Sequence, residues 1–281
     1  MTIHCFGAYF GLAASYFLPR REAIADKEKK NGGNYTSNLV AMFGTIFLYL
    51  YWPSFNAALS PVANQQRAAV NTCISISGSL IAAACWSRLV HHKLDMEIML
   101  NATLAGGVMI GASADFIMGG GGAMVIGCLA GLISAFGFSH LSGALKRWIG
   151  LHDTCGVNNL HGLPGFFGGI ISGVCATFAN RYLDGDVSIA SIYPEVANGN
   201  RDFKTQGSYQ IAALAVSLGI GIGGGIISGF IASRFGNTVQ TLFDDKEHWH
   251  NCVEDAPEHE AASAEPVKGS YWSNAENKTI Q

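Results

Sequence analysis

Charge is scarce in this sequence. Asp, Glu, Lys and Arg make up only 13% of its 281 residues, and none occurs from Thr154 to Asn180. An uncharged run of that length can cross a bilayer as a helix. A basic surplus is missing too: the net charge of −3 gives no footprint for a nucleic-acid partner. The seven cysteines, Cys5, Cys73, Cys85, Cys128, Cys155, Cys175 and Cys252, never fall at metal-ligand spacing. All but Cys252 sit in apolar runs, so they read as small packing residues, and neither a disulfide scaffold nor a zinc site is expected. Met1-Thr2-Ile3-His4 lacks a basic leader, and the apolar run behind it ends at Pro19-Arg20-Arg21 without a cleavage-like site. No cleavable signal peptide is therefore expected.

What is present is apolar and small: 49% hydrophobic residues, 35 glycines and a mean hydropathy of +0.25. That balance suits helices packed closely inside a membrane. Seven apolar segments emerge, at about 4–18, 38–60, 68–87, 96–118, 123–145, the charge-free run from Thr154, and 207–233. The first is short for a full crossing. In the second, the aromatics of Tyr49-Leu50-Tyr51-Trp52-Pro53-Ser54-Phe55-Asn56 suit an interfacial belt, and Pro53 should kink the helix. Gly119 to Gly122 read as a turn, and Gly127 and Gly131 form a GxxxG close-packing signal. We divide the chain into a transmembrane domain, 1–235, and an acidic, mostly disordered tail, 236–281.

Basic residues orient these segments. The loops after segments one, three and five carry nine Lys and Arg; those after two, four and six carry four. The positive-inside bias then puts the first set and the tail after Arg234 in the cytoplasm, with the N-terminus outside. Asn34-Tyr35-Thr36 matches the glycosylation pattern but falls on the cytoplasmic side, so no glycan is expected.

The most informative stretch is Asp153-Thr154-Cys155-Gly156-Val157-Asn158-Asn159-Leu160-His161-Gly162-Leu163-Pro164-Gly165. A histidine inside a membrane segment is costly, so function is the default hypothesis, and a satisfied core histidine is the plain alternative. His4 opens a similar sequence. Setting it against His161 pairs Ala8 with Gly165, Tyr9 with Phe166, Phe10 with Phe167 and Gly11 with Gly168. Such an echo points to a pseudo-symmetric transporter with its site where the repeats meet. Pro164 leaves a helical carbonyl without a partner, which Asn158 or Asn159 is placed to satisfy.

Four ordered motifs carry a family resemblance: Met1 to Leu12; Tyr51 to Asn56; Lys93-Leu94-Asp95-Met96 with Asn101 to Gly107; and Asp153 to Gly165. Together they resemble the ammonium transporter/Rh glycoprotein family, Rh branch, over residues 1 to about 235. The resemblance implies an all-α integral membrane protein, the C-terminal part of an eleven- or twelve-helix inverted-repeat fold. It also implies a homotrimer or Rh heterotrimer, one pore per subunit and residence in the plasma membrane. Substrate would be ammonia or ammonium, with carbon dioxide as a further neutral gas; no cofactor and no catalytic group is implied. His4 and His161 match the paired pore histidines, and Phe55 resembles one of two stacked gate phenylalanines. Asp153 matches the acid supporting the second histidine, and Asp95 is similar to an acid of the cytoplasmic vestibule. We group Asn158 with the pore residues, while Asn38 stands where several relatives carry an acid. The seven segments would be the last seven of the family's set, so the chain reads as a fragment or shortened product.

The chemistry fits. Two buried imidazoles, kept neutral by burial, can donate to and accept from a small neutral molecule, and a hydrogen bond between them would fix their tautomers. A non-transporting membrane scaffold is the second reading. An intramembrane metalloenzyme is the third, and it would need a ligand beyond His4 and His161.

Overall fold

In the computed structural model the chain folds into apolar helices, and the residues described are 1–18, 32–115, 119–179 and 192–235. All of them lie in one compact unit, Met1–Gln240. Among them the helices are α1 (His4–Ser15), α2 (Tyr35–Ala58), α3 (Gln65–His91), α4 (Met96–Ile110), α5 (Gly120–Phe136), α6 (Ser142–Ile149), α7 (Leu163–Phe178) and α8 (Phe203–Ala232), with a further turn at Pro194–Ala197. The basic loop from Arg20 to Lys30 and the acidic tail fall outside the described residues, as do Met118 and Arg181.

Each expected apolar segment carries a helix. Five stretches are long and apolar enough to cross a membrane: Tyr35–Ala58, Val62–His91, Gly120–Ile149, Asn158–Phe178 and Phe203–Ala232. Met96–Ile110 is shorter. The fourth helix stops at Ile110 and gives way to a turn over 111–115, eight residues before the boundary expected from hydropathy. Glycine placement differs as well: of Gly119 to Gly122 only Gly119 has a positive φ, at +85, and α5 begins at Gly120. Pro53 lies inside α2, which runs through it as one helix.

Capping explains the starts. Asn34 and Ser37 form a reciprocal capping box on α2, with Ser37 N–H donating to Asn34 Oδ1 at 2.8 Å. Asp95 and Asp202 cap α4 and α8, accepting from Ile98 N–H at 3.1 Å and Thr205 N–H at 2.6 Å.

Packing is set by small residues. Along α5, a Cβ on Gly127 or Gly131 would run into the carbonyl oxygen of Ser75 or Ser79 on α3. Those serines in turn reach α4: Ser75 Oγ donates to Gly106 O at 2.8 Å and Ser79 Oγ to Ala102 O at 2.5 Å. The GxxxG signal therefore marks a real close approach, with hydrogen bonds from neighbouring serines adding to it. Helix α4, buried at every position from Ala102 to Ile110, is the centre of the bundle. Helix α1 packs on α8 and against α7 and the turn before it. Of the described cysteines only Cys5 is buried, whereas Cys73, Cys85 and Cys155 are exposed. A packing role therefore holds for Cys5 but not for those three.

Candidate functional site

The local structure before α7 is unusual. Asp153 uses both carboxylate oxygens as a cap, Oδ1 accepting from Val157 N–H at 2.9 Å and Oδ2 from Asn158 N–H at 2.9 Å. The chain then winds through a π-helical turn, Asn158–Gly162, and enters α7 with Pro164 in its first turn. Proline is tolerated there because the early N–H groups of a helix have no intrahelical acceptor. Neither asparagine is turned towards a carbonyl of this turn, contrary to expectation. Asn158 Nδ2 donates to Asn159 Oδ1 at 3.3 Å, and Asn159 Nδ2 donates to Ser142 Oγ at 2.6 Å. The buried Asn159 also meets Gly137, in a second π-helical turn, Gly137–Leu141, so the two irregular turns lock together through one amide.

That wound turn carries His161 to the crossing with α1. The rings of His4 and His161 are nearly parallel, 3° apart, with centroids 5.0 Å apart. His4 also meets Trp52 of α2, at 5.6 Å and 16°, and Phe55 stands at 6.0 Å and 58°. No hydrogen bond joins the two imidazoles. His4 Nε2, His161 Nδ1 and Trp52 Nε1 are each buried without a hydrogen-bond partner among the described residues. The expected tautomer-fixing bond is thus replaced by a ring stack, in which Trp52 helps hold the orientation of His4.

Helix spacing makes this stack possible. A Cβ on Gly165 would lie 2.9 Å from the Cys5 nitrogen, while one on Gly162 would make ordinary contact with Ala8 Cβ at 3.5 Å. In the register that sets His4 against His161, Cys5 corresponds to Gly162 and Ala8 to Gly165. The two contacts are therefore reciprocal, as between elements related by a two-fold axis.

Of the residues singled out by sequence, the fold brings His4, His161 and Phe55 together, and the capped turn of Asp153 and Asn158 leads into His161. Asp95 stands apart, as the cap of α4. Trp52, the residue stacked on His4, is 7% exposed and was assigned to an interfacial belt; its place is internal. Asp115, Asn56 and Tyr193 were also passed over. They line a cavity of about 320 Å³ that has His4 and Phe55 in its wall. Asp115 is the only charged residue between Glu97 and Lys146, which was the available signal. Ser60 gives its carboxylate a hydrogen bond, and Arg67 Nη1 donates to its main-chain carbonyl at 3.2 Å.

Spanning helices that cross at small residues around a stacked pair of half-buried histidines define an α-helical integral membrane protein with a polar site between apolar walls. A sequence model of the Ammonium Transporter Family matches residues 1–249. The chain belongs to that family.

An ammonium transporter Rh type B from Takifugu rubripes is 40% identical over 279 residues, covering 96% of this chain and 60% of the relative. The Homo sapiens ammonium transporter Rh type C is 42% identical over 260 residues, covering 91% and 53%. Nitrosomonas europaea Rh50, of the Rhesus protein family of channels, superposes with a TM-score of 0.71 at 32% identity. That superposition covers 92% of this chain and 60% of Rh50. A sensor Amt protein shares the fold at 21% identity and a TM-score of 0.63. The chain thus spans about 60% or less of the length of these relatives.

Proposed function

We propose that the protein conducts ammonia or ammonium across a membrane, and that the substrate passes the His4–His161 stack as neutral ammonia. The observation that carries this reading is the pair of neighbouring imidazoles, each with one buried nitrogen that has no hydrogen-bond partner among the described residues. An unpaired buried polar atom costs about 1–3 kcal/mol, so two together at a helix crossing favour a transient small ligand. Ammonia can meet either nitrogen, since it both donates and accepts.

The energetics point to the neutral species. Burying an unpaired ammonium ion would cost tens of kcal/mol on Born grounds. Removing its proton at pH 7 costs about 3 kcal/mol, taking a pKa of about 9 and roughly 1.36 kcal/mol per unit. Carbon dioxide, small and uncharged, would meet the same apolar walls. Phe55, 48% exposed beside His4, serves as a gate. Asp153 holds the turn that presents His161, and Asp95 belongs to the cytoplasmic vestibule. The tail lies in the cytoplasm and the protein works in the plasma membrane as a homotrimer or an Rh heterotrimer.

The test is stopped-flow recording of internal pH in proteoliposomes carrying the full-length protein, mixed with an ammonium salt. Alkalinisation should be faster than in protein-free liposomes, and His161→Ala should return it to the lipid rate. A His161→Ala protein that conducts like the parent would overturn the assignment.

A further inference from the structure

We infer that Asn159 is a positioning residue for His161: its side chain clamps two π-helical turns together and so holds the imidazole in the stack with His4. This rests on the reading that the stack passes ammonia, and deepens it by naming what fixes one half of that stack.

His161 lies inside the π-helical turn Asn158–Gly162 and not in the α-helix behind it. A π turn is wider than an α turn, and such turns occur singly, mostly at functional sites. Rewinding this one to α geometry would rotate its side chains about the helix axis and carry His161 off His4. The turn therefore needs a hold from outside. Asp153 supplies one at the entry, on the backbone of Val157 and Asn158. Farther in, the fully buried Asn159 supplies the other. Residues two apart on a helical turn point to nearly opposite sides. Asn159 thus grips the back of the turn whose front presents His161.

The amide is held at both ends. Its Nδ2 donates to Ser142 Oγ at 2.6 Å, and its Oδ1 accepts from Asn158 Nδ2 at 3.3 Å. A Cβ on Gly137 would lie 2.5 Å from Oδ1 and 2.7 Å from Cγ, so glycine there is what gives the amide room. A second seat lies alongside: Gly156, at φ +69, leaves space for the ring of Phe138. The turn Gly137–Leu141 that receives these groups is itself tied to α3. Trp86 Nε1 donates to Ser139 Oγ at 3.0 Å, and His91 Nε2 pairs with the same hydroxyl at 2.9 Å.

The hold on His161 therefore runs from α3 through Ser139 and the first π turn to Asn159. A buried amide bonded at both ends has one permitted direction. An apolar side chain of the same size would fill the space without fixing the rotation of the turn.

Magic-angle-spinning NMR on the full-length protein in proteoliposomes, with 13C- and 15N-labelled histidine, tests this alongside stopped-flow flux. The readout is the ring-to-ring cross-peak of His4 and His161, identified by its loss in His161→Ala. Asn159→Leu should lose the cross-peak and about tenfold in ammonia flux, as for a displaced site group. Gly137→Ala removes neither partner of Asn159 but pushes its amide, and should weaken both signals in the same way. Ser142→Thr keeps the hydroxyl and should match the parent, whereas Ser142→Ala should fall between parent and Asn159→Leu. A folded Asn159→Leu protein with parental cross-peak and flux overturns the inference, even if it is less stable, since Asn159 would then only pack. Should Asn159→Leu fail to fold, Gly137→Ala decides, and a parental cross-peak in that variant overturns the inference. If the cross-peak is lost while flux stays parental, the positioning role stands and the conduction reading fails.

Discussion

Gly165 approaches Cys5 so closely that the smallest added side chain would come within 2.9 Å of the Cys5 backbone nitrogen. This contact sets the spacing of α1 and α7, and that spacing places the His4 ring 5.0 Å from His161. Structure at the crossing and chemistry at the site are therefore one problem.

Enlarging Gly165 should separate the helices. Gly165→Val must displace backbone rather than the end of a flexible side chain, so we expect a loss of about 1–3 kcal/mol from overpacking. Reversible unfolding in mixed micelles measures it. Ammonia flux should fall further than stability, because the imidazole stack opens as the helices part. A Gly165→Val protein with parental stability and flux would show that the crossing does not set the site.

How much of this was legible beforehand follows from what sequence encodes locally. Apolar runs mark themselves by lacking charge, so each expected segment contained a helix. Boundaries were less visible. Helix α4 yields to a turn after Ile110 although the apolar composition continues, because hydropathy reports depth and not hydrogen bonding. His4 and His161 were legible through the echo and the family motifs. Trp52 was not, since an aromatic in an apolar segment reads equally as belt or interior, and only the fold shows which face meets His4. Asp115 and Asn56 belong to different elements and come together only in the wall of one cavity. The π-helical turns leave no periodic mark in so short a stretch.

Trp52 and Phe55 differ in burial, 7% against 48% exposed, although three residues apart on α2. Trp52→Ala should therefore cost about 3 kcal/mol or more, as for a buried large-to-small change. Phe55→Ala should cost less than about 1 kcal/mol, in keeping with a half-exposed ring. Flux should respond in the other sense for Phe55, with a changed conduction rate at nearly parental stability. Paired unfolding and stopped-flow measurements separate the roles; equal stability losses would show that Phe55 is simply packed.

Asp153 provides the most direct link between a cap and the site. Its two oxygens each accept one backbone N–H at 2.9 Å, from Val157 and Asn158, at the start of the turn bearing His161. Asp153→Ala removes both acceptors and should cost about 0.5–2 kcal/mol, the range for lost helix caps. Asp153→Asn keeps one oxygen and turns an amide donor towards the other N–H, so its stability should fall between parent and alanine variant. The same order should appear in flux, because an unheld N–H at Asn158 loosens the turn three residues before the imidazole. Unfolding midpoints and alkalinisation rates for the three proteins check both orders. If the alanine variant matches the parent in both, the turn is held by Asn159 and its bond to Ser142 rather than by the carboxylate.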